Sequence, residues 1–253
     1  MNHCFRDRTA LVLGSTSGIG EGIARLFARC GANVILAGRS VEAGQAIARE
    51  IQEAGQKANF VRCDIEKEED VAALVDAAVE TYGQLDYAAN CAGMNSIPMP
   101  VHKLASDHFD QVLAINLRGI FLAMKYELLH MVSRKRGTIV NIASTAGHVA
   151  FAGFAPYVAS KHGLVGLTRA AALDYAGDNI RVNGVSPGPV DTPLLRQGLA
   201  NLGQSMESKI QSNPMGRAGS VDEIADAVLW LCSDRASFVT GQFINADGGY
   251  TLR

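Results

Sequence analysis

A doubly wound α/β fold, with a seven-stranded parallel sheet flanked by helices, is what this 253-residue chain predicts. Three observations lead there. Short runs rich in Val, Ile, Leu and Ala recur without polar alternation, as strands buried on both faces of a parallel sheet do. Between them lie longer segments whose apolar residues return every three or four positions, the period of an amphipathic helix. The third is a glycine-rich turn, Gly14-Ser-Thr-Ser-Gly18-Ile-Gly20, at the first strand-to-helix junction.

The elements follow in order. TALVLG (9–14) is the first strand, and a helix over 18–30 sets Ile19, Ile23, Leu26 and Phe27 on one stripe. NVILAG (33–38) is the second strand, followed by a helix over 41–54. ANFVRCD (58–64) is the third; Glu68 to Tyr82 is helical, with Val71, Leu74, Val75 and Val79 inward. LDYAANCAG (85–93) is the fourth, before a long helix over 106–134 with Ser106 as its N-cap. GTIVNIAS (137–144), a helix over 155–176, IRVNGVSPG (180–188), a helix over 222–231 and QFINADGG (242–249) complete the series. Strands alternating with helices imply a parallel sheet with both faces covered. No linker, repeat or charge block divides the chain, so one domain over 1–253 is expected. Residues 189–213 read as a substrate lid, with Gly198 and Gly203 as hinges.

Composition narrows the function classes. A formal net charge of −2 gives no reason to expect nucleic acid or an anionic membrane as partner. Cys4, Cys30, Cys63, Cys91 and Cys232 are scattered, odd in number and without CxxC spacing, so neither a disulfide framework nor a metal site is expected. There is no run of about 18 uncharged apolar residues and no signal-peptide layout. A cytoplasmic location is the expectation.

Two constellations carry chemistry. The glycine turn lies where a dinucleotide pyrophosphate meets the N–H groups of a helix N-terminus, and a β-carbon there would block the approach. Further along, Tyr157 and Lys161 stand four residues apart, on one face of a helix, with Ser144 thirteen residues upstream of the tyrosine. A cation within reach of a phenol favours its ionised form, and a phenol poised near neutrality can exchange a proton with a hydroxyl or carbonyl oxygen. That is acid–base chemistry on an alcohol/ketone pair. The end of the second strand bears on the cofactor. An acidic side chain there would accept bonds from the adenosine ribose and repel a 2′-phosphate. This chain has Gly38-Arg39-Ser40 instead. Gly38 leaves room, Arg39 can pair with a phosphate and Ser40 can add a hydrogen bond, so NADP(H) is favoured, with NAD(H) as the alternative.

Together these residues resemble the short-chain dehydrogenase/reductase family, whose fold is of the Rossmann type, over about residues 8–250. Gly14, Ser17, Gly18, Ile19 and Gly20 are similar to its pyrophosphate loop. Asp64, with Ile65 after it, stands where the family contacts adenine. Asn90-Cys-Ala92-Gly93 resembles the NNAG element beside the adenosine ribose. Pro187, Gly188, Val190 and Thr192 resemble the segment that holds the nicotinamide carboxamide. The resemblance implies a catalytic set of Asn116, Ser144, Tyr157 and Lys161. Tyr157 would be the acid or base, Ser144 would hold the reacting oxygen, and Lys161 would bind the nicotinamide ribose and lower the Tyr157 pKa. Asn116 would bend its helix and seat a water connecting Lys161 to solvent. Two departures stand out: Leu13 where the family has threonine, and Cys91 where it has a second asparagine.

The resemblance implies reduction of a ketone or oxidation of a secondary alcohol. A Tyr–Lys interval of four disfavours enoyl reduction, and lysine in that place disfavours the halohydrin-lyase relatives. Thr145, Ala146, His148, Phe151, Phe154, Met94, Val190, Leu194 and Leu195 are the expected pocket wall, suiting a neutral, hydrophobic substrate. The helices over 106–134 and 155–176 form a dimer interface in similar proteins, and a homotetramer is expected. A nucleotide-sensing binding protein is the alternative from another class; a nucleotide-sugar epimerase would need a further substrate domain.

Overall fold

The computed structural model of the chain describes residues 5–252, so Cys4 lies outside it. Seven strands form one parallel sheet: β1 (Thr9–Leu13), β2 (Asn33–Gly38), β3 (Ala58–Arg62), β4 (Tyr87–Asn90), β5 (Gly137–Ile142), β6 (Ile180–Pro187) and β7 (Phe243–Ala246). Their spatial order is β3-β2-β1-β4-β5-β6-β7. The direction of winding reverses between β1 and β4. In such sheets a crevice opens at that point, outside the carboxyl ends of the strands.

Alternation along the strands divides the core into two layers, because successive side chains point to opposite faces. Ala10, Val12, Val34 and Leu36 pack under α1 (Gly18–Arg29), α2 (Val41–Glu53) and α9 (Val221–Cys232), meeting Ile23, Phe27, Ile47 and Val228. Leu11, Leu13, Ile35 and Ala37 face the other way, toward α3 (Glu68–Tyr82), α5 (Ile120–Arg134) and α6 (Ala155–Tyr175), meeting Leu74, Ile120, Leu122 and Leu164. The remaining helices are α4 (Ser106–Leu113), α7 (Pro193–Asn201) and α8 (Met206–Gln211). No helix among the described residues is long and apolar enough to cross a membrane.

The elements differ from the sequence expectation in three instructive ways. Residues 91–93, 143–144 and 247–249, assigned to strand ends from their pattern, lie beyond the strands, and the first two groups form part of the crevice wall. The long helix over 106–134 is split by a π-helical stretch, Ala114–Gly119, which contains Asn116. A π-turn carries one extra residue per turn and re-aims the side chains within it. Ser106 does not cap that helix; Ala105 holds the cap position, and no side chain bonds the first turn.

Gly14 ends β1 with φ +84°, and a β-carbon on it would lie 2.6 Å from Ala92 N. That close approach brings the glycine turn and the β4 end into one surface. Gly14→Ala is expected to destabilise the protein by at least the roughly 1–3 kcal/mol of a strained backbone conformation. Denaturant unfolding of the variant measures it, and wild-type stability would contradict this packing.

Candidate active site

A crevice of about 770 Å³ runs over the carboxyl ends of β1, β2, β4, β5 and β6. At one end lies the glycine turn. Ser17 occupies the N-cap position of α1 without bonding the first turn, so those N–H groups have no side-chain partner there. A β-carbon on Gly20 would collide with Gly14 O, and Gly18 has φ +57°. Ser15 braces the turn from behind, accepting from Ala37 N at 2.9 Å. A helix N-terminus stripped of β-carbons and side-chain caps suits a pyrophosphate, so these residues fit a dinucleotide. Arg39 and Ser40 are exposed at this end, and Asp64 and Ile65 form the adjoining wall. The room expected at Gly38 is not open: a β-carbon there would lie 2.8 Å from Thr16 Cγ2, so the Thr16 methyl fills it.

At the other end Ser144, Tyr157 and Lys161 line the same crevice. Ser144 caps a 3₁₀ turn, Thr145–Gly147, accepting from Ala146 N at 3.1 Å. That bond fixes its oxygen while leaving its O–H free to swing toward the crevice. Tyr157 lies in the first turn of α6, half-buried, with a hydrogen bond to Ser144. Lys161 follows one turn later, only 4% exposed. Its Nζ donates to Ile142 O at 2.9 Å and stands 5.8 Å from the centroid of the Tyr157 ring.

Asn116 does not line the crevice. Its Oδ1 accepts from Met94 N at 2.8 Å, and its Nδ2 donates to Met94 O at 3.0 Å and to Ser160 Oγ at 3.2 Å. Ser160 in turn donates to Tyr157 O at 2.8 Å. The asparagine thus pins the loop after β4 to the helix that carries Tyr157. Gly93 makes this possible: a β-carbon there would stand 3.3 Å from Asn116 Oδ1 and 3.8 Å from Lys161 Nζ. Asn90 is likewise fully buried behind the crevice rather than on its wall.

The other dinucleotide residues expected from the sequence, including Ala92, Gly93, Pro187, Gly188, Val190 and Thr192, are on the crevice wall. Thr192 also caps α7, its Oγ1 accepting from Leu195 N at 3.2 Å, which leaves its hydroxyl hydrogen to donate elsewhere. Of the expected substrate wall, Met94, Thr145, Phe151, Phe154, Val190, Leu194 and Leu195 are present. Ala146 and His148 are not. Ala146 is buried, and His148 turns to Ser186 Oγ at 2.8 Å with its ring edge-on to Phe243. Asn95 in the turn after β4, and Leu202 and Gln204 in the expected lid, also line the crevice, whereas Pro98, Ala152 and Tyr250 were missed by sequence reasoning. Asn95 Nδ2 donates to Leu194 O at 3.1 Å, tying the β4 loop to α7 across 99 residues of sequence. No spacing rule could have found that pair.

The electrostatics differ from the expected direction in one respect. Burial pushes the Tyr157 phenol up, and only the bond to Ser144 draws it down; Lys161 does not. Burial pushes Lys161 down to about 8, opposed by Cys91. Desolvation therefore moves the amine toward neutrality and the phenol away from it, so proton exchange is made easier at the lysine than at the phenol.

Residues 14–251 match the family model described as enoyl-(acyl carrier protein) reductase. A 2,5-dichloro-2,5-cyclohexadiene-1,4-diol dehydrogenase of Sphingobium indicum is 44% identical over 246 residues, covering 96% of this chain and 97% of that protein. A cis-4-hydroxycyclohexanecarboxylate dehydrogenase of Sinomonas cyclohexanicum is 41% identical, covering 99% of each. Among solved structures, an actinorhodin polyketide ketoreductase variant with NADPH superimposes with a TM-score of 0.93 at 36% identity, over all of both chains.

A buried cation is a stability burden. The fall of Lys161 from 10.5 to about 8 corresponds to roughly 3 kcal/mol, and its bond to Ile142 O returns about 1. Below pH 8 the folded protein carries that full burden. Between about pH 8 and 10.5 the unfolded chain binds the extra proton, so stability rises with pH there. Lys161→Met is therefore expected to be more stable than wild type by about 2 kcal/mol at pH 7, with the gap closing toward pH 10.5. Denaturant titrations at three pH values decide it; a variant less stable at pH 7 would show that the amine contributes net stability.

Proposed function

The chain belongs to the short-chain dehydrogenase/reductase family, and on that premise we propose that the Tyr157 hydroxyl exchanges the proton in its reaction. The protein is an oxidoreductase that interconverts a ketone and a secondary alcohol with a nicotinamide cofactor. The carrying observation is the meeting of Ser144 and Tyr157 on one wall of a crevice whose far end is a glycine cradle. The nicotinamide, when bound, supplies or accepts the hydride.

In the reduction direction charge develops on the substrate oxygen. The Ser144 hydroxyl, steered by Ala146 N, offers that oxygen a hydrogen bond, and Tyr157 gives it a proton. Lys161 binds the cofactor ribose through the donors its Nζ does not spend on Ile142 O. Its lowered pKa would let its amine give up and regain a proton close to neutral pH. Asn116 holds the Met94 backbone and, through Ser160, the first turn of α6, keeping phenol and amine in register.

NADP(H) is the cofactor this site favours. Arg39 forms no ion pair or hydrogen bond among the described residues, so its guanidinium is uncommitted, and Ser40 follows it. No carboxylate stands at the end of β2 to repel a 2′-phosphate. For the substrate, the apolar wall from Met94, Phe151, Phe154, Leu194 and Leu195 suits a neutral ring alcohol or ketone, in keeping with the names of the ring-alcohol dehydrogenases above. Helices α7 and α8 act as its lid. A homotetramer is supported by the exposed Phe121 and Leu129 on α5 and Leu173 on α6, large apolar side chains that a partner subunit would cover. A reducing, cytoplasmic compartment suits Cys63, Cys91 and Cys232, which form no disulfide.

Two measurements test these assignments. Tyr157→Phe is expected to lower turnover by about 10²–10⁴-fold while the dissociation constant for the reduced cofactor changes little. Near-normal turnover would remove Tyr157 from the mechanism. Arg39→Asp is expected to weaken NADPH by about tenfold or more and to spare or improve NADH. Should wild type already use NADH as well as NADPH, the cofactor preference is wrong.

A further inference from the structure

Behind the crevice lies a carboxyl group that the reaction does not use. Glu127, on α5, is completely buried, as are Asn90 of β4, Asn141 of β5 and Thr168 of α6. The four form a chain. Thr168 Oγ1 donates to Leu164 O at 2.7 Å and accepts from Asn141 Nδ2 at 2.9 Å. Asn141 Oδ1 accepts from Asn90 Nδ2 at 3.0 Å, and the same Asn90 Nδ2 donates to Glu127 Oε2 at 3.1 Å.

This bookkeeping leaves two acceptors over. Asn90 Oδ1 and Glu127 Oε1 are both buried without a partner. Buried acceptors without donors are rare and costly. Flipping the Asn90 amide makes matters worse, since it would turn an oxygen toward Glu127 Oε2 and Asn141 Oδ1. A single proton on the carboxyl would supply the donor that both orphans lack, as where an acid and an amide pair head to head through N–H···O and O–H···O bonds.

We infer that Glu127 is a neutral carboxylic acid that donates its proton to Asn90 Oδ1, and that this bond positions the Asn90–Gly93 turn against the dinucleotide. The second half of that statement rests on the proposed cofactor site. Asn90 pairs in register with Leu13 of β1 and Asn141 of β5, and residues 91–93 follow it directly onto the crevice wall. Glu127 thus acts through Asn90 as a positioning residue and touches neither cofactor nor substrate.

The charges nearby are committed elsewhere. On α5 itself, Lys125 and Tyr126 bond Glu68 of α3, and His130 Nε2 accepts from Leu85 N. Lys161 of α6 and Cys91 beyond β4 act on one another. From β4, β5 and α6 the groups in the Glu127 network are Asn90, Asn141 and Thr168, all uncharged. Burial accordingly pushes the carboxyl up to about 7, with only the Asn90 bond pulling it down.

Linkage gives a sign to test. A carboxyl near 4.5 in the unfolded chain and about 7 in the folded one contributes stability that is complete below pH 4.5 and lost as pH rises to about 7 and beyond. Three measurements decide the matter. Infrared spectra of wild type at pH 6 should carry a protonated-carboxyl stretch that Glu127→Gln abolishes; its absence from wild type overturns the proposal. NADPH and NADH titrations followed by fluorescence should show the wild-type dissociation constant rising severalfold from pH 6 to pH 9. Glu127→Gln, which supplies an N–H in place of the O–H, should bind within about twofold of wild type at pH 6 and lose that extra pH dependence. Glu127→Ala should bind about tenfold more weakly. If Glu127→Gln binds as poorly as Glu127→Ala, or keeps the wild-type pH dependence, the positioning role is wrong. If wild type binds neither nucleotide, the cofactor reading fails while the infrared result still judges the proton.

Discussion

The amine of Lys161 is a positive charge taken out of water at the carboxyl end of a parallel sheet, and the site is arranged around that burden. Its anchor is a backbone carbonyl, Ile142 O, at the last residue of β5. A carbonyl stabilises the charge without neutralising it, so the amine keeps donors for a ligand. No carboxylate acts on the amine; the ionisable group that does is the Cys91 thiol, itself pushed up to about 12 by burial. A carboxylate in that place would stabilise the fold and silence the lysine. Function here is maintained at the expense of stability, as is common at active sites.

Around the amine, polar side chains hold backbone rather than ligand. Asn116 binds both backbone groups of Met94, Ser144 takes its orientation from Ala146 N, and Thr192 caps α7. The π-turn at Ala114–Gly119 is the backbone adjustment that aims Asn116 at the β4 loop instead of at its own helix. Behind them the Asn90–Asn141–Thr168 chain crosses from β4 over β5 to α6 at the middle of the sheet. The crevice wall is therefore backed by a buried hydrogen-bonded layer. Such layers are rigid when every member is satisfied and weak points when one is not, which gives the Glu127 proton its importance.

The two ends of the crevice answer different demands. The glycine cradle needs close backbone approach, so it is built from missing β-carbons at Gly14, Gly18 and Gly20. The reacting end needs exact placement of oxygen and nitrogen, so it sits on strand ends and the first two turns of the 21-residue helix α6. Exposed groups complete the two ends: Arg39 beside the glycine cradle, and α7, tethered by Asn95, at the other. Two hydrophobic layers keep the ends in fixed relation.

Local periodicity in the sequence determined the seven strands, their alternation with helices and the two-sided burial that makes the sheet parallel, since each strand's run and each helix's stripe is written in adjacent residues. The same locality made Gly14, Gly18, Gly20, Tyr157 and Lys161 legible, because a turn and an i, i+4 pair are fixed within a few positions. What pairs across the fold was not legible. Thr16 filling the space at Gly38, His148 leaving the pocket for Ser186, Asn95 reaching Leu194, and Glu127 buried beside Asn90 all depend on the packing of distant segments. Nothing in its neighbours Lys125 and Tyr126 marks Glu127 as the partner of Asn90. Only the sheet beneath it decides that it faces inward, where desolvation rather than sequence sets its charge.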